Sequence, residues 1–127
     1  MTATVLIVPG LRDHVAQHWQ TLLAAEWPDA QTVPPMGRED LDCARRVDAI
    51  ESAVSAIQGR VILVAHSGGC VMVAHWAQTT RYATRIQGAL MATPPDFEAP
   101  MPEGYPTVAA LRMGGWLPVP RHPLPFK

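Results

Sequence analysis

The chain has 127 residues, of which 48% are apolar, enough for one domain with a real core. Its formal net charge is -1 at pH 7 and the charges are mixed along the chain, so the clustered basic surface that nucleic-acid binding needs is absent. The strongest apolar runs, Val5–Val8 and Val61–Ala65, are far too short to cross a bilayer, and two cysteines, Cys43 and Cys70, are too few for a disulfide framework.

Thr4–Val8 is a short β-branched run ending at Pro9-Gly10 and reads as a strand buried on both faces. Asp13 can cap a helix from about His14 to Glu26, with Val15, Trp19, Leu22, Leu23 and Glu26–Trp27 as its stripe and Pro28 as its stop. Ala30–Val33 is a weak second strand closed by Pro34-Pro35. A second helix runs from about Asp40 to Gln58, buries Val47, Ile50, Val54 and Ile57, and finds its C-terminal cap at Gly59. Val61–Ala65 is the third strand, a third helix runs from Gly68 to about Thr80, and Ile86–Ala92 is the fourth strand. The first strand begins almost at Met1, which leaves no room for a signal peptide, and the expected setting is a reduced cytoplasm.

Nine of the 13 prolines fall between Pro94 and Pro125. Residues 93–123 therefore read as a long loop, with a short helical turn near Val108–Arg112, of the kind that serves as a functional cap or stays disordered. Alternating strands and helices imply a single α/β domain over residues 1–127, a doubly wound, mostly parallel sheet with helices on both faces. The usual strand order is second, first, third, fourth. Its switch point lies between the first and third strands, where the Pro9-Gly10-Leu11 and Ala65–Gly69 loops meet.

Ala65-His66-Ser67-Gly68-Gly69 follows a buried strand and opens a helix, the setting of the G-x-S-x-G nucleophile elbow of α/β-hydrolases. The serine backbone there is strained, and small neighbours let strand and helix approach. Gly69 meets one small position; Ala65 replaces the other glycine at the cost of one methyl group. Ser67 is the candidate nucleophile. The Gly68 N–H at a helix N-terminus and the Leu11 N–H after Gly10 are candidate oxyanion donors. The bland alternative is that Ser67-Gly68-Gly69 only tightens a strand–helix turn.

The sequence resembles the small α/β-hydrolases of the YdeN and retinoblastoma-binding-protein-nine type, a family of serine hydrolases. Two stretches carry the resemblance: Val5–Gly10 followed by His18-Trp19, and Leu63–Cys70 with its Ala-His-Ser-Gly-Gly-Cys elbow. It implies hydrolysis of an ester or an amide of a small molecule through a serine acyl-enzyme, without a cofactor. The family's order is serine, acid, histidine, the last two following later strands. No residue here matches that acid or histidine. The resemblance thus implies a chain that stops short of the triad and is inactive alone. A non-catalytic binding protein on the same fold is the competing reading. Nucleotide binding at Gly10 is set aside because no glycine-rich phosphate motif follows it.

Other residues carry weaker signals. His66 adjoins Ser67, but neighbours on an elbow point apart, so a structural role is expected. His14 and His18 have a metal-compatible spacing without a third ligand, and no metal site is expected. Asp96, after the fourth strand, is the best internal candidate for an acid, and His122 is a remote candidate for a base. His75 reads as a core or surface residue, Cys70 as a small buried hydrophobe, and Trp76 as core. Trp116 either lines a pocket or plugs the core. The fourth strand reads as an interior strand, yet topology puts it at the sheet edge. Self-association through it, or a partner supplying further strands, is expected.

Overall fold

A computed structural model of the chain describes residues 3–11, 16–37, 40–97 and 99–121. Strands β1 (Thr4–Val8), β2 (Gln31–Thr32), β3 (Val61–His66) and β4 (Ile86–Ala92) form one parallel sheet in the order β2-β1-β3-β4. The α/β architecture and the strand order agree with the sequence reading. β1 and β3 show no polar alternation because helices lie over both of their faces: Leu6, Ile7, Val8, Val61, Leu63, Val64 and Ala65 are all buried. The expected second strand is only two residues long, although Val33 just past it still donates its N–H to the Ile7 carbonyl.

Helices α2 (Cys43–Ala56) and α3 (Gly68–Thr79) lie side by side against Leu6, Val8, Leu63 and Ala65, and Ile50, Val54, Val73 and Trp76 complete that core. Glu51 ties the two helices together, accepting from Trp76 Nε1 at 2.9 Å and from the Thr80 hydroxyl at 2.7 Å. α2 begins at Cys43, later than the expected Asp40, because the Asp42 carboxylate caps it by accepting from the Ala44 and Arg45 N–H groups. Its buried face also includes a residue that periodicity does not select, Arg46. That guanidinium is satisfied by the Gly37 and Asp40 carbonyls at 2.6 and 2.7 Å and lies over the Trp116 ring. Burial lowers its pKa from the ordinary value, against the opposing pull of Asp40.

The first helix departs most from expectation. α1 runs from Trp19 to Glu26, and its N-cap is His18, whose Nδ1 accepts from the Gln20 N–H at 3.2 Å. The proposed Asp13 cap, His14 and Val15 lie outside the described residues. Nor is the apolar stripe the buried face: Leu22 is 50% exposed and Trp27 53%, and the buried residue of the helix is Gln20. The reason is a backbone one. The Gln20 amide bridges two strands, donating to the Val8 and Val64 carbonyls at 3.2 and 3.1 Å, and that bond turns the polar side of α1 toward the sheet.

β4 pairs only with β3 among the described residues, with a bulge opposite Val61 and Ile62. Leu90, in an apolar strand without alternation, is 55% exposed.

The proline-rich segment does more than loop. It carries α4 (Val108–Met113), capped by Thr107, and returns over α2. There the Gly114 carbonyl accepts from the Cys43 N–H at 2.8 Å. The buried Trp116 donates from Nε1 to the Leu41 carbonyl at 2.9 Å, and its own carbonyl meets His75 Nε2 at 2.7 Å. Trp116 therefore plugs the core. A side chain at Gly114 would collide with the Leu41 carbonyl, which fixes glycine there. No helix among the described residues is long and apolar enough to cross a membrane.

Candidate active site

Parallel strands bring the two loops of the switch point together at the carboxyl end of the sheet. β3 ends at His66, one residue further than the sequence suggests, and α3 starts at Gly68. Ser67 alone makes the turn. Its backbone stands at φ 52°, ψ −121°, a conformation that L-residues with side chains rarely adopt and that costs on the order of 1–3 kcal/mol. The surroundings hold it there. Ser67 N–H donates to the Ala92 carbonyl at 2.9 Å, and Cys70 N–H donates to the Ser67 carbonyl at the same distance. The Cys70 thiol also donates to Ala92 O, and burial pushes that thiol up to about 11.

The glycines explain how the turn fits. A Cβ on Gly69 would collide with the Val8 carbonyl and crowd that of Pro9, so the first turn of α3 lies directly on the end of β1. A Cβ on Gly10 would lie 3.4 Å from Ser67 Cβ and 3.3 Å from Gly68 N. One on Gly68 would lie 3.5 Å from Leu11 N. The Leu11 and Gly68 amides thus belong to one tight cluster beside Ser67. Ala65 is fully buried beneath it, where its methyl group is accommodated.

Ser67 serves as the N-cap of α3 by position, but its side chain makes no capping hydrogen bond, nor any other among the described residues. The side chain instead lines a cavity of about 480 Å³. Gly10, Leu11, His18 and His66 contribute from the sheet side, and Pro95, Asp96, Phe97, Pro100, Met101, Pro102 and Tyr105 from the segment after β4.

Several of these were not legible beforehand. His66 does not point away from the site. It lines the same cavity as Ser67, with its ring edge-on to His18 at 4.7 Å and to Trp19 at 5.7 Å. Asp96 does reach the cavity. His75 does not line it, being half-buried against Trp116. His122 lies outside the described residues. Phe97 and Tyr105 also line the cavity, and the sequence signals them only through the length of the proline-rich segment. Phe97 is buried and stands edge-on to Trp116 at 5.7 Å, which joins the cavity wall to the plug in the core.

No curated protein matches this chain. Among solved structures it is similar to a crystal structure described as a YdeN-like hydrolase from Pectobacterium atrosepticum, with 31% identity and a TM-score of 0.66. That similarity covers 74% of this chain and 50% of the other, so the chain spans about half the length of the structure it matches. The serine hydrolase family model matches residues 5–127, nearly the full length. The chain therefore belongs to the serine hydrolase family, and its similarity to the YdeN-like structure agrees with the resemblance read from the sequence.

Proposed function

We propose that Ser67 is the nucleophile of a hydrolase acting on esters of small, uncharged acyl groups, with the Leu11 and Gly68 N–H groups as oxyanion donors. The observation that carries this reading is a strained serine whose hydroxyl is spent on no structural bond and opens onto a cavity. Evolution has little reason to keep a side chain at φ 52° where glycine would relax the turn, unless the side chain is used. In the proposed reaction Ser67 Oγ attacks the ester carbonyl. Negative charge develops on the carbonyl oxygen beside the two amides, and the C–O bond to the alcohol breaks as the alcohol takes up a proton. Water then hydrolyses the acyl-enzyme. The apolar wall of Leu11, Phe97, Met101 and Tyr105 suits the acyl chain.

The hydroxyl proton needs a base, and no imidazole among the described residues hydrogen-bonds Ser67. The proposal includes slow turnover by this chain alone, limited to what oxyanion donors and binding provide, on the order of 10³-fold over water. The same missing bond is the one observation that favours a binding protein instead.

Prolonged exposure to an alkyl fluorophosphonate followed by intact-mass measurement separates the readings. One adduct on the native chain and none on Ser67→Ala is the expected result. An adduct persisting in Ser67→Ala moves the nucleophile elsewhere, and an unlabelled native chain supports the binding protein. Turnover of p-nitrophenyl butyrate on the order of 10 s⁻¹, an ordinary enzyme rate, would show that this chain holds a complete proton relay.

A further inference from the structure

The cavity beside Ser67 has a closed end, and one aromatic side chain closes it. Phe97 lines the cavity yet is only 2% exposed, and Leu11 on the same wall is 6% exposed. The two converge on Gly68: a Cβ built there would lie 3.1 Å from Leu11 Cγ and 3.5 Å from Phe97 Cζ. Glycine at this position leaves room for two apolar side chains directly beside an amide at the N-terminus of α3. We propose that Phe97 sets the substrate range of the site: its ring ends the acyl pocket and restricts the acyl group to short chains. This rests on Ser67 as the nucleophile and the Gly68 N–H as an oxyanion donor.

The limit follows from the reacting bond outward. An acyl carbon bonded to Ser67 Oγ, with its oxygen at the Gly68 N–H, lies next to the residue on which Leu11 and Phe97 converge. The chain continuing from that carbon meets the ring within a few bonds. In a closed apolar pocket one methylene too many is worth about tenfold or more.

A ring ends a pocket only if it cannot turn aside. Phe97 is backed edge-on by Trp116, with ring centroids 5.7 Å apart, and Trp116 is itself completely buried. Three groups fix that indole. Its Nε1 donates to the Leu41 carbonyl at 2.9 Å, the Trp116 carbonyl meets His75 Nε2 at 2.7 Å, and the Arg46 guanidinium lies 5.6 Å from the ring centroid. Behind the phenyl ring stands a packed core, which a longer chain displaces only at the cost of overpacking. The segment that returns over α2 thereby gives the pocket its back wall.

Alkanesulfonyl fluorides test this, because each carries a single alkyl group and has one way to fill the acyl pocket. Ser67 Oγ bonds to sulfur, the S–F bond breaks, fluoride leaves with the bonding pair, and the hydroxyl proton passes to solvent. Intact-mass measurement over time gives the rates of labelling at Ser67 by propanesulfonyl and octanesulfonyl fluoride. The native chain should prefer the propyl reagent about tenfold or more. Phe97→Ala should bring the two rates together. Phe97→Leu, which keeps apolar bulk against Trp116 and should retain the native circular dichroism, should narrow the preference. Equal rates on the native chain overturn the inference while leaving Ser67 as the nucleophile, and so does a preference that persists unchanged in Phe97→Leu. Failure of the propyl reagent on a chain that the fluorophosphonate labels also overturns it, since the pocket would then not accept even a short alkyl group. If neither class of reagent labels Ser67, the nucleophile itself is wrong and the inference falls with it.

Discussion

The two faces of the sheet are built by different means. Against α2 and α3, the face of Leu6, Val8, Leu63 and Ala65 is sealed by apolar side chains, with Trp116 closing the far side of that core. Across the face of Ile7, Val64 and Leu90, the Gln20 amide of α1 donates to two strand carbonyls, while Trp19 and Leu22 of that helix are exposed. The first face is closed by large apolar side chains from two helices. The second buries Ile7 and Val64 as well, but its helix is oriented by a polar side chain and leaves Leu22 exposed. In such a molecule, damage to the first face should unfold the protein, and damage to the second should alter what it touches.

That contrast breaks first at Trp116. Trp116→Ala removes the largest side chain between α2, α3 and the cavity wall, and should cost about 3–5 kcal/mol, measured by urea unfolding. A loss comparable to that of a surface substitution would mean that the returning segment contributes nothing to the core. Gln20→Leu should cost less, on the order of 1–3 kcal/mol, since it leaves the buried Val8 and Val64 carbonyls without that donor while preserving bulk. If it stabilised the chain instead, α1 would be held by burial after all. Leu90→Ala should change the stability of the single chain by no more than about 0.5 kcal/mol.

The smallest effect is a pH dependence. Cys43 and Cys70 on the sealed side are each pushed up from the ordinary 9.0 to about 11, chiefly by burial. A thiol raised in the folded state favours folding while it is protonated in both states. That contribution is complete below about 9 and declines as pH rises toward about 11, because the unfolded chain releases its protons first. The alkaline loss of stability should be shallower in a Cys43→Ala, Cys70→Ala variant than in the native chain. Equal slopes would place the thiols in contact with solvent.

How far the sequence discloses all this follows from the kind of signal involved. β1, β3 and β4 announce themselves by composition, and the strand order follows from the alternation of elements. The setting of Ser67 is local, carried by five consecutive residues, and was legible. α1 departs from its periodicity because periodicity weighs apolar residues, and nothing in Trp19–Glu26 marks Gln20 as the one to reach two carbonyls on different strands. The local rule that neighbours on a turn diverge does not place His66, because β3 extends through His66 and only then turns. Phe97 and Tyr105 reach the cavity through the path of a proline-rich segment, which no period encodes. The sequence leaves Trp116 open between pocket and core for the same reason.

The Ala92 carbonyl closes the β4 ladder and accepts from both Ser67 N–H and the Cys70 thiol. The strained residue of the cavity is therefore fastened to the last residue of the sheet's least protected strand. In amide-exchange terms, the Ser67 proton is the final rung of β4 and should share the opening rate of that strand, whatever happens in the loop after Gly10. Fraying of β4 would release the serine backbone from φ 52°, and anything that clamps β4 would hold it there. By reciprocity a covalent adduct on Ser67 that requires this geometry slows exchange along β4.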